Sequence, residues 1–199
     1  MKSMTEKEKM LSGELYDASD SELATLRKTA HKLCKDYNDL YEDETEAREE
    51  ILRKLLGGKL PEHLYLQGPI QFDYGVFTSF GEGCYANFNL TVLDCCPVKI
   101  GNNVFFGPNC MVATPVHPMK AAQRNPHPNE NGDITCDEYA KPVTIGDSCW
   151  IASNVVICAG VTIGEGCVIG AGSVVTRDIP PNTFAAGNPC RAIKQIDNK

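Results

Sequence analysis

The chain has 199 residues, of which 42% are hydrophobic and 23% are charged, as expected for one large globular domain or a main domain with a small appendage. Its net charge of −7 argues against a general nucleic-acid binder, because no basic stripe is present to displace the counterions of phosphates. No apolar run approaches the roughly 20 residues that span a bilayer, and the opening MKSMTEKEKML contains no apolar segment of signal-peptide length. We therefore expect a cytoplasmic protein.

Residues 1–60 are predicted to form a helical segment. Ser19, with Glu22 three residues later, has the pattern of a capping box, so we expect Ser19 to be the N-cap of a helix. A second helix is predicted from about residue 45 to 56, and the glycines at 57–58 would end it. Because these helices are too short to form a core of their own, they must pack on another part of the chain. The apolar face of the first helix is Leu23, Leu26, Ala30, Leu33, Tyr37 and Leu40.

From residue 61 a six-residue period replaces the helical one. Branched aliphatic residues recur at every sixth position, in the series Ile145, Ile151, Ile157, Ile163, Ile169 and Val175. Two residues before each lies a second series, Val143, Cys149, Val155, Val161, Cys167 and Ser173. The same phase occurs upstream at Ile100, Phe106 and Val112, and more loosely at Ile70/Phe72, Val76/Thr78, Cys84/Ala86 and Leu90/Val92.

A period of six suits a short strand followed by a tight corner. Three such units return the chain to its starting side after about 18 residues, so the apolar residues of successive coils stack inside a triangular solenoid. We predict a mainly β protein with about five coils, in which residues 61–190 form the β-helix and 191–199 a C-terminal tail. The segment 116–142 breaks the period and is rich in Pro, Asn and Lys, so it is predicted to be a long, functional loop that projects from the solenoid.

Several segments together resemble a known family. They are MLSGELYDASDSEL, FDYG, YANFNLTVLD, NCMVATPVHP, YAKPVTIGDSCWIASNVVICAGVTIG and VIGAGSVVTRDIPPNTFAAGNPCRAI. In order and with similar gaps, they resemble the maltose and galactoside O-acetyltransferases of bacteria, which are hexapeptide-repeat acyltransferases. The resemblance covers nearly the whole chain and implies a left-handed parallel β-helix, acetyl-CoA as co-substrate, a sugar acceptor and no metal.

His117 is the candidate general base. Acetylation of a hydroxyl requires a group that accepts a proton near neutral pH, and histidine has the suitable chemistry. Of the four histidines, His31 lies in a predicted helix, His63 precedes the repeat and His127 lies within the irregular loop. His117 directly follows a regular hexad at the root of the loop, and the resemblance places the family's catalytic histidine there. The mechanism implied is direct transfer in a ternary complex, rather than through an acetyl-cysteine.

The resemblance also implies the acceptor-binding and cofactor-binding residues. The acceptor set is Asp17, Tyr85, Asn87, Asp94 and Glu138, although asparagines also fill tight corners in solenoids. The coenzyme A set is Trp150, Ala152, Ser153, Ala171, Thr176, Arg177, Arg191 and Lys194. Backbone groups of Ala152, Ser153 and Ala171 would bond the pantetheine arm, and Ser153 would also supply an oxyanion donor. The last four residues of the set would form a basic spot for the phosphates.

Two positions favour the maltose type of acceptor over the galactoside type. Where galactoside enzymes tend to have Asp-Asp after NFNLT, this chain has Asp94-Cys95. Glu138 likewise stands where that branch has methionine. A galactoside or xenobiotic acetyltransferase is the nearest alternative. More distant alternatives are a metal-dependent hydratase, which would need three histidine ligands on neighbouring coils, and a non-catalytic scaffold. The family resemblance further implies a homotrimer with active sites between subunits.

The chain contains ten cysteines. There is no CxxC pair, and Cys95 and Cys96 are adjacent, which is poor geometry for a structural disulfide. We expect the cysteines to be small, buried apolar residues in a reducing compartment, with a zinc site as the alternative.

Overall fold

The computed structural model describes residues 4–129 and 131–197, in which a parallel β-solenoid follows a helical segment. The helices are α1 (Glu6–Ser12), α2 (Ser21–Asn38), α3 (Thr45–Leu55) and α4 (Ala121–Arg124). Among the described residues, none of these helices has the length and apolar character needed to cross a membrane.

The strands are short, and most of them form the three sides of the solenoid. In chain order they are β1 (Tyr16–Asp17), β2 (Tyr65–Leu66), β3 (Ile70–Phe72), β4 (Thr78–Ser79), β5 (Tyr85–Ala86), β6 (Leu90–Leu93), β7 (Val98–Ile100), β8 (Phe105–Phe106), β9 (Met111–Ala113), β10 (Pro115–Val116), β11 (His127–Pro128), β12 (Ile134–Thr135), β13 (Asp137–Ala140), β14 (Val143–Ile145), β15 (Trp150–Ile151), β16 (Val156–Ile157), β17 (Thr162–Ile163), β18 (Val168–Ile169), β19 (Val174–Val175), β20 (Thr183–Ala186) and β21 (Arg191–Gln195). The first side has the order β2-β5-β8-β15-β18-β20, the second β3-β6-β9-β16-β19 and the third β4-β7-β14-β17. The predicted five coils are confirmed, and β20 begins a further one.

The six-residue repeat is confirmed by the strand register. After the inserted loop, Ile145 pairs with Ile163 and Ile151 with Ile169, so partners are 18 positions apart, as the six-residue period predicts. Before the loop the coils are two residues longer, because Ile70 pairs with Leu90, 20 positions later. Residues of both repeat series point inward, and the apices from Ile145 to Val175 are at most 1% exposed. One residue of the looser series was predicted wrongly, because Val76 is 41% exposed while Thr78 is buried. A turn closed by the Thr78 N–H and the Gly75 carbonyl (3.0 Å) places Val76 on the outside.

Helices α2 and α3 cover the first coil of the solenoid. Tyr37 and Leu55 join the same hydrophobic core as Leu66 of β2. Between them lies the buried Arg48, whose guanidinium donates hydrogen bonds to the Tyr37 hydroxyl (2.8 Å) and the Leu66 carbonyl (2.7 Å). The helical segment therefore protects the end of the solenoid from solvent.

The N-cap of α2 is Asp20 and not Ser19, which corrects the prediction by one residue. The Asp20 carboxylate accepts hydrogen bonds from the backbone N–H groups of Glu22 and Leu23. A negatively charged acceptor is favoured at this position because the N-terminal end of a helix carries a partial positive charge. The Ser19 hydroxyl instead donates to the Asp17 carboxylate (2.6 Å).

The loop of residues 116–142 is folded and is tied to the N-terminal segment. In it, β11 and β12 form a hairpin, and β13 is the centre of a three-stranded antiparallel sheet with the order β1-β13-β10. At its base, the Lys141 N–H donates to the Thr114 carbonyl (3.0 Å). The Asp17 carboxylate accepts hydrogen bonds from the Thr135 hydroxyl and the Asn129 side-chain amide (3.0 Å).

The segment predicted to be a C-terminal tail contains a β-strand. Residues 191–195 form β21, which pairs antiparallel with β20 and covers the open edge of the first side. Residues 198–199 lie outside the described part of the chain.

Replacing a stacked core residue should destabilise the solenoid. For Ile163→Ala we expect a loss of about 2–5 kcal/mol in the free energy of unfolding, because the substitution leaves a cavity between coils. Thr162→Ala, one residue away on the exposed face of the same strand, should change it by less than about 0.5 kcal/mol. Denaturant unfolding at equal protein concentration measures both, and equal losses would contradict the stacking role.

The Asp17 carboxylate should make the attachment of the loop sensitive to acid. Burial tends to raise its pKa, but hydrogen bonds from Ser19, Thr135 and Asn129 outweigh burial and lower the pKa to about 2. A carboxyl whose pKa is lower in the folded chain stabilises the fold fully above its unfolded pKa of 3.8. This stabilisation is lost as the pH falls through the folded pKa. The stability difference between wild type and Asp17→Asn should therefore be constant above pH 5 or so and shrink towards about pH 2, as measured by denaturant unfolding. The exposed control Glu14→Gln should show no such convergence.

Candidate active site

His117 stands at the rim of the solenoid on a rigid base. It directly follows β10 and is exposed, whereas the neighbouring Thr114 and Pro118 are buried. The Thr114 hydroxyl donates to the Leu93 carbonyl (2.8 Å) and accepts the Cys96 N–H (2.9 Å), which joins two successive coils below the histidine. The chain leading to His117 is therefore anchored to the solenoid, while the His117 side chain is open to solvent.

The other three histidines have different surroundings. His31 on α2 lies 3.7 Å from an oxygen of Asp73, and His127 lies at the same distance from Asp137 in the loop. His63 is exposed, with a φ of 56°, at the start of the solenoid. Among residues 4–129 and 131–197, no group of three His, Cys, Asp or Glu side chains has the arrangement to hold a metal ion. All ten cysteines are free thiols.

Glu138 lies on the His117 side of the molecule. It is half-buried on β13, and burial raises the pKa of its carboxyl, while the nearby Tyr16 hydroxyl and the side chains of His117 and Arg27 oppose this shift. Asp17, which pairs with Asp137 of β13, lines an adjacent cavity of about 650 Å³ between the N-terminal segment and the loop. Its oxygens, however, are bonded to Ser19, Thr135 and Asn129.

Asp94, which was predicted to bind the acceptor, is enclosed by protein in this structure and is held by hydrogen bonds. Asp94 is 0% exposed. Its carboxylate accepts the Tyr74 N–H (2.8 Å) and the Thr78 hydroxyl (2.9 Å). Burial raises the pKa of this carboxyl, and the hydrogen bonds from Tyr74, Gly75 and Thr78 oppose the rise. Asp94 thus holds the bend at residues 73–78 in place.

Tyr85, Asn87 and Trp150 form a second group on a different side of the solenoid. With Phe105, Phe106 and Gly107 they line an open pocket of about 440 Å³. Trp150 is 55% exposed, and the Asn87 side-chain oxygen accepts the Phe88 N–H (2.8 Å). Tyr85 and Trp150 lie on strands β5 and β15 of the first side, and Asn87 directly follows β5. His117 instead follows β10, which comes after β9 of the second side. One copy of the chain does not bring the two groups into one pocket.

The predicted backbone donors differ in their availability. The Ala152 N–H is already bonded to the Ile169 carbonyl (2.9 Å) and belongs to the strand ladder. Within the described part of the chain, the N–H groups of Ser153 and Ala171 donate to no protein acceptor. Gly107 packs so closely on this corner that a Cβ atom there would lie 2.7 Å from the Ser153 nitrogen. Ser153 and Ala171 therefore offer free donors on a tightly packed corner.

The four basic-spot residues Thr176, Arg177, Arg191 and Lys194 are all exposed near the last coil. The Cys190 N–H donates to the Val174 carbonyl (2.8 Å), which places Arg191 near the strand preceding Thr176. Lys194 lies opposite Phe184 in the terminal antiparallel pair. In the described residues, none of the three basic side chains forms an ion pair with a carboxylate.

Sequence reasoning missed a second, smaller core beside Glu138. Tyr16, Tyr74 and Cys95 pack there with the residues Met10, Leu23, Cys96 and Ala140. The Tyr16 hydroxyl is buried next to Cys95 and Glu138, with no well-aligned hydrogen-bond partner among the described residues. Burial, Cys95 and Glu138 all raise the Tyr16 pKa. The Arg27 guanidinium donates to the Tyr74 hydroxyl (2.7 Å). The available signal was the segment GELYD, in which an aromatic residue directly precedes Asp17.

Family models match three parts of the chain. The maltose acetyltransferase hexapeptide capping motif matches residues 9–59. The bacterial transferase hexapeptide (six repeats) matches residues 142–177, and the hexapeptide repeat of succinyl-transferase matches residues 97–117.

Individual relatives are similar over nearly the full length. The crystal structure of a maltose O-acetyltransferase from Clostridium difficile 630 has 47% identity and a TM-score of 0.91, and the match covers 99% of this chain and 100% of that one. A hexapeptide-repeat acetyltransferase from Vibrio cholerae O1 biovar eltor, solved with acetyl coenzyme A, has 34% identity and a TM-score of 0.84, with 98% and 100% covered. The galactoside O-acetyltransferase of Escherichia coli K12 is 38% identical over 96% of this chain and 90% of its own length. The chain therefore belongs to the maltose/galactoside O-acetyltransferase family of hexapeptide-repeat acetyltransferases.

Proposed function

We propose that the protein transfers an acetyl group from acetyl-CoA to a hydroxyl of a sugar, with His117 as general base. The observation that carries this proposal is the position of His117, exposed at the root of a folded loop but fixed by the hydrogen bonds of Thr114 to two coils. A base that takes a proton from an alcohol needs both access and a fixed position.

In the proposed reaction, the His117 imidazole takes the hydroxyl proton as the sugar oxygen attacks the thioester carbonyl. The C–O bond forms, the C–S bond breaks, and the proton passes from His117 to the departing thiolate. The free Ser153 N–H would stabilise the negative charge that develops on the carbonyl oxygen. No acetyl-enzyme is required.

For the donor, the free N–H of Ala171 suits the amides of the pantetheine arm, and Trp150 offers a flat apolar surface beside it. The unpaired cations Arg177, Arg191 and Lys194 suit the phosphates of coenzyme A. The complex of the Vibrio cholerae relative with acetyl coenzyme A supports this assignment.

For the acceptor, we propose a sugar of the maltose or glucose type. Glu138, which lies near His117 and Tyr16, and Cys95, which lies near Tyr16, depart from the pattern of the galactoside enzymes. The 47% identical structure is a maltose O-acetyltransferase. Asn87 and Tyr85 supply polar groups on the other surface. A galactoside as the preferred acceptor is the alternative, and a kinetic panel of glucose, maltose and β-galactosides separates the two.

We further propose that three copies assemble and that each active site lies between two of them. This brings His117 of one subunit to the surface that carries Asn87, Trp150 and Ser153 on the next, which a single chain keeps on separate sides. Residues 1–60 would then cap the acceptor site, since β1 is bonded to the loop that begins at His117. The ten free thiols are compatible with a cytoplasmic location.

His117→Ala should lower kcat/KM for sugar acetylation by about 10²- to 10⁴-fold, because the proton acceptor is removed. Acetyl-CoA-dependent thiol release with a sugar panel measures this. The matched control is His63→Asn, since asparagine tolerates the positive φ at this exposed position, and it should retain full activity. Full activity of His117→Ala would refute the mechanism.

Mixing two impaired variants should restore activity if the site is shared. His117→Ala and Asn87→Ala subunits, unfolded and refolded together at equal amounts, should regain up to about a quarter of wild-type activity, because a random interface combines both intact residues at that frequency. Each variant refolded alone is the control. A mixture no more active than the average of the two would contradict a site between subunits.

A further inference from the structure

We propose that Glu138, buttressed by the buried Tyr16, is a positioning residue that orients His117 and stabilises its protonated form. The proposal rests on the proposed role of His117 as the base. It assigns to Glu138 a task other than contact with the sugar, and it gives Tyr16 a part in the reaction.

The strand register places the three residues in one row. In the sheet β1-β13-β10, Tyr16 lies opposite Glu138, and Val116 lies opposite Tyr139. Continuing the second pairing by one residue places His117 opposite Glu138. Directly opposed residues of antiparallel strands have their side chains on the same face, with Cβ atoms about 4.5–5.5 Å apart. Glu138 therefore lies between Tyr16 and His117 on a single face of the sheet.

Burial decreases along this row from the core to the solvent. Tyr16 is 2% exposed, Glu138 is half-buried and His117 is exposed. A half-buried carboxylate interacts more strongly with a neighbouring imidazole than a solvated one, because water screens the charges less. The charges of His117, Arg27 and Asp73 all act on the Glu138 carboxyl. Among the described residues, His117 and Glu138 do not form an ion pair in this conformation.

The Tyr16 hydroxyl is fully buried and has no well-aligned hydrogen-bond partner among the described residues, but it lies near enough to the Glu138 carboxyl to lower the pKa of that group. Its ring is fixed by the second core, where Tyr74, Leu23 and Ala140 pack. The groups near its oxygen are Cys95, whose thiol is a weak hydrogen-bonding group, and the Glu138 carboxylate. A small rotation of the Glu138 side chain would give the hydroxyl its missing acceptor. Tyr16 thus favours the ionised carboxylate and limits where it can move.

This arrangement has a clear chemical role. When His117 takes the proton of the acceptor hydroxyl, a positive imidazolium forms beside the negative Glu138 carboxylate. The attraction between them lowers the energy of that state, and the same carboxylate restricts the rotation of the ring. Since Tyr16 touches neither His117 nor the solvent, it would act only through Glu138.

The test compares Glu138→Gln, Glu138→Asp, Tyr16→Phe and the double variant Tyr16→Phe/Glu138→Gln. The matched control is Glu49→Gln, which removes the same charge from an exposed position on α3. Each variant is assayed with maltose, with ethanol as an acceptor that has no other hydroxyl, and with water alone as acetyl-CoA hydrolysis. Circular dichroism and gel filtration confirm the fold of each.

We expect Glu138→Gln to lower kcat by about 10- to 100-fold with all three acceptors, with little change in KM for maltose. Glu138→Asp should recover part of this loss. Tyr16→Phe should lower the same rates by a smaller common factor, and the double variant should be no worse than Glu138→Gln alone, because both residues act through one carboxylate. Glu49→Gln should match wild type.

Two results would overturn the inference. If Glu138→Gln raises KM for maltose but leaves the ethanol and water reactions unchanged, Glu138 only contacts the sugar. If the effects of Tyr16→Phe and Glu138→Gln multiply, Tyr16 acts independently of Glu138. Either result leaves the proposed function intact as long as His117→Ala is inactive, whereas an active His117→Ala refutes the base itself.

Discussion

The stacking of each buried side chain on the same position of the next coil is the interaction on which the molecule depends. Ile145 on Ile163 and Ile151 on Ile169 show the rule, which holds in coils of 18 residues after the inserted loop and, as Ile70 on Leu90 shows, in coils of 20 residues before it. Because a slip by one residue would turn every apolar side chain outward, the register is strongly specified. The register of the coils therefore also fixes the positions of the outward-facing residues, including Trp150 and Ser153, so these residues need no contacts with one another to be held in place.

The N-terminal segment serves the solenoid at two places. Helices α2 and α3 close the first coil through Arg48 and its aromatic neighbours, as the hydrogen bond to Tyr37 shows. Strand β1 extends to the inserted loop and completes a small sheet there. The same chain segment that stabilises the end of the solenoid therefore also positions Tyr16 and Asp17 beside the proposed catalytic centre.

The fold could be predicted from the sequence because the six-residue period is a local pattern with a single geometric solution. The position of His117 at the loop root followed from where that period stops. Val76 and Ser19 were predicted wrongly because a turn and a stronger neighbouring cap, Asp20, changed the local geometry. The burial of Asp94 and the position of Tyr16 depend on contacts between residues far apart in the chain, as between Asp94 and Tyr74, which periodicity does not encode.

The hydrogen bond between Lys141 and Thr114 closes the inserted segment at its base, so that Val143 resumes the register of Val98 in the coil before. The solenoid thus has the same geometry whatever the length of the insertion. A different segment between these anchors would therefore change the surroundings of His117, the proposed base, while the coils that carry Trp150 and Ser153 keep their register. In a chimera that carries another family member's insertion between Thr114 and Lys141, Val143 should likewise keep its register with Val98.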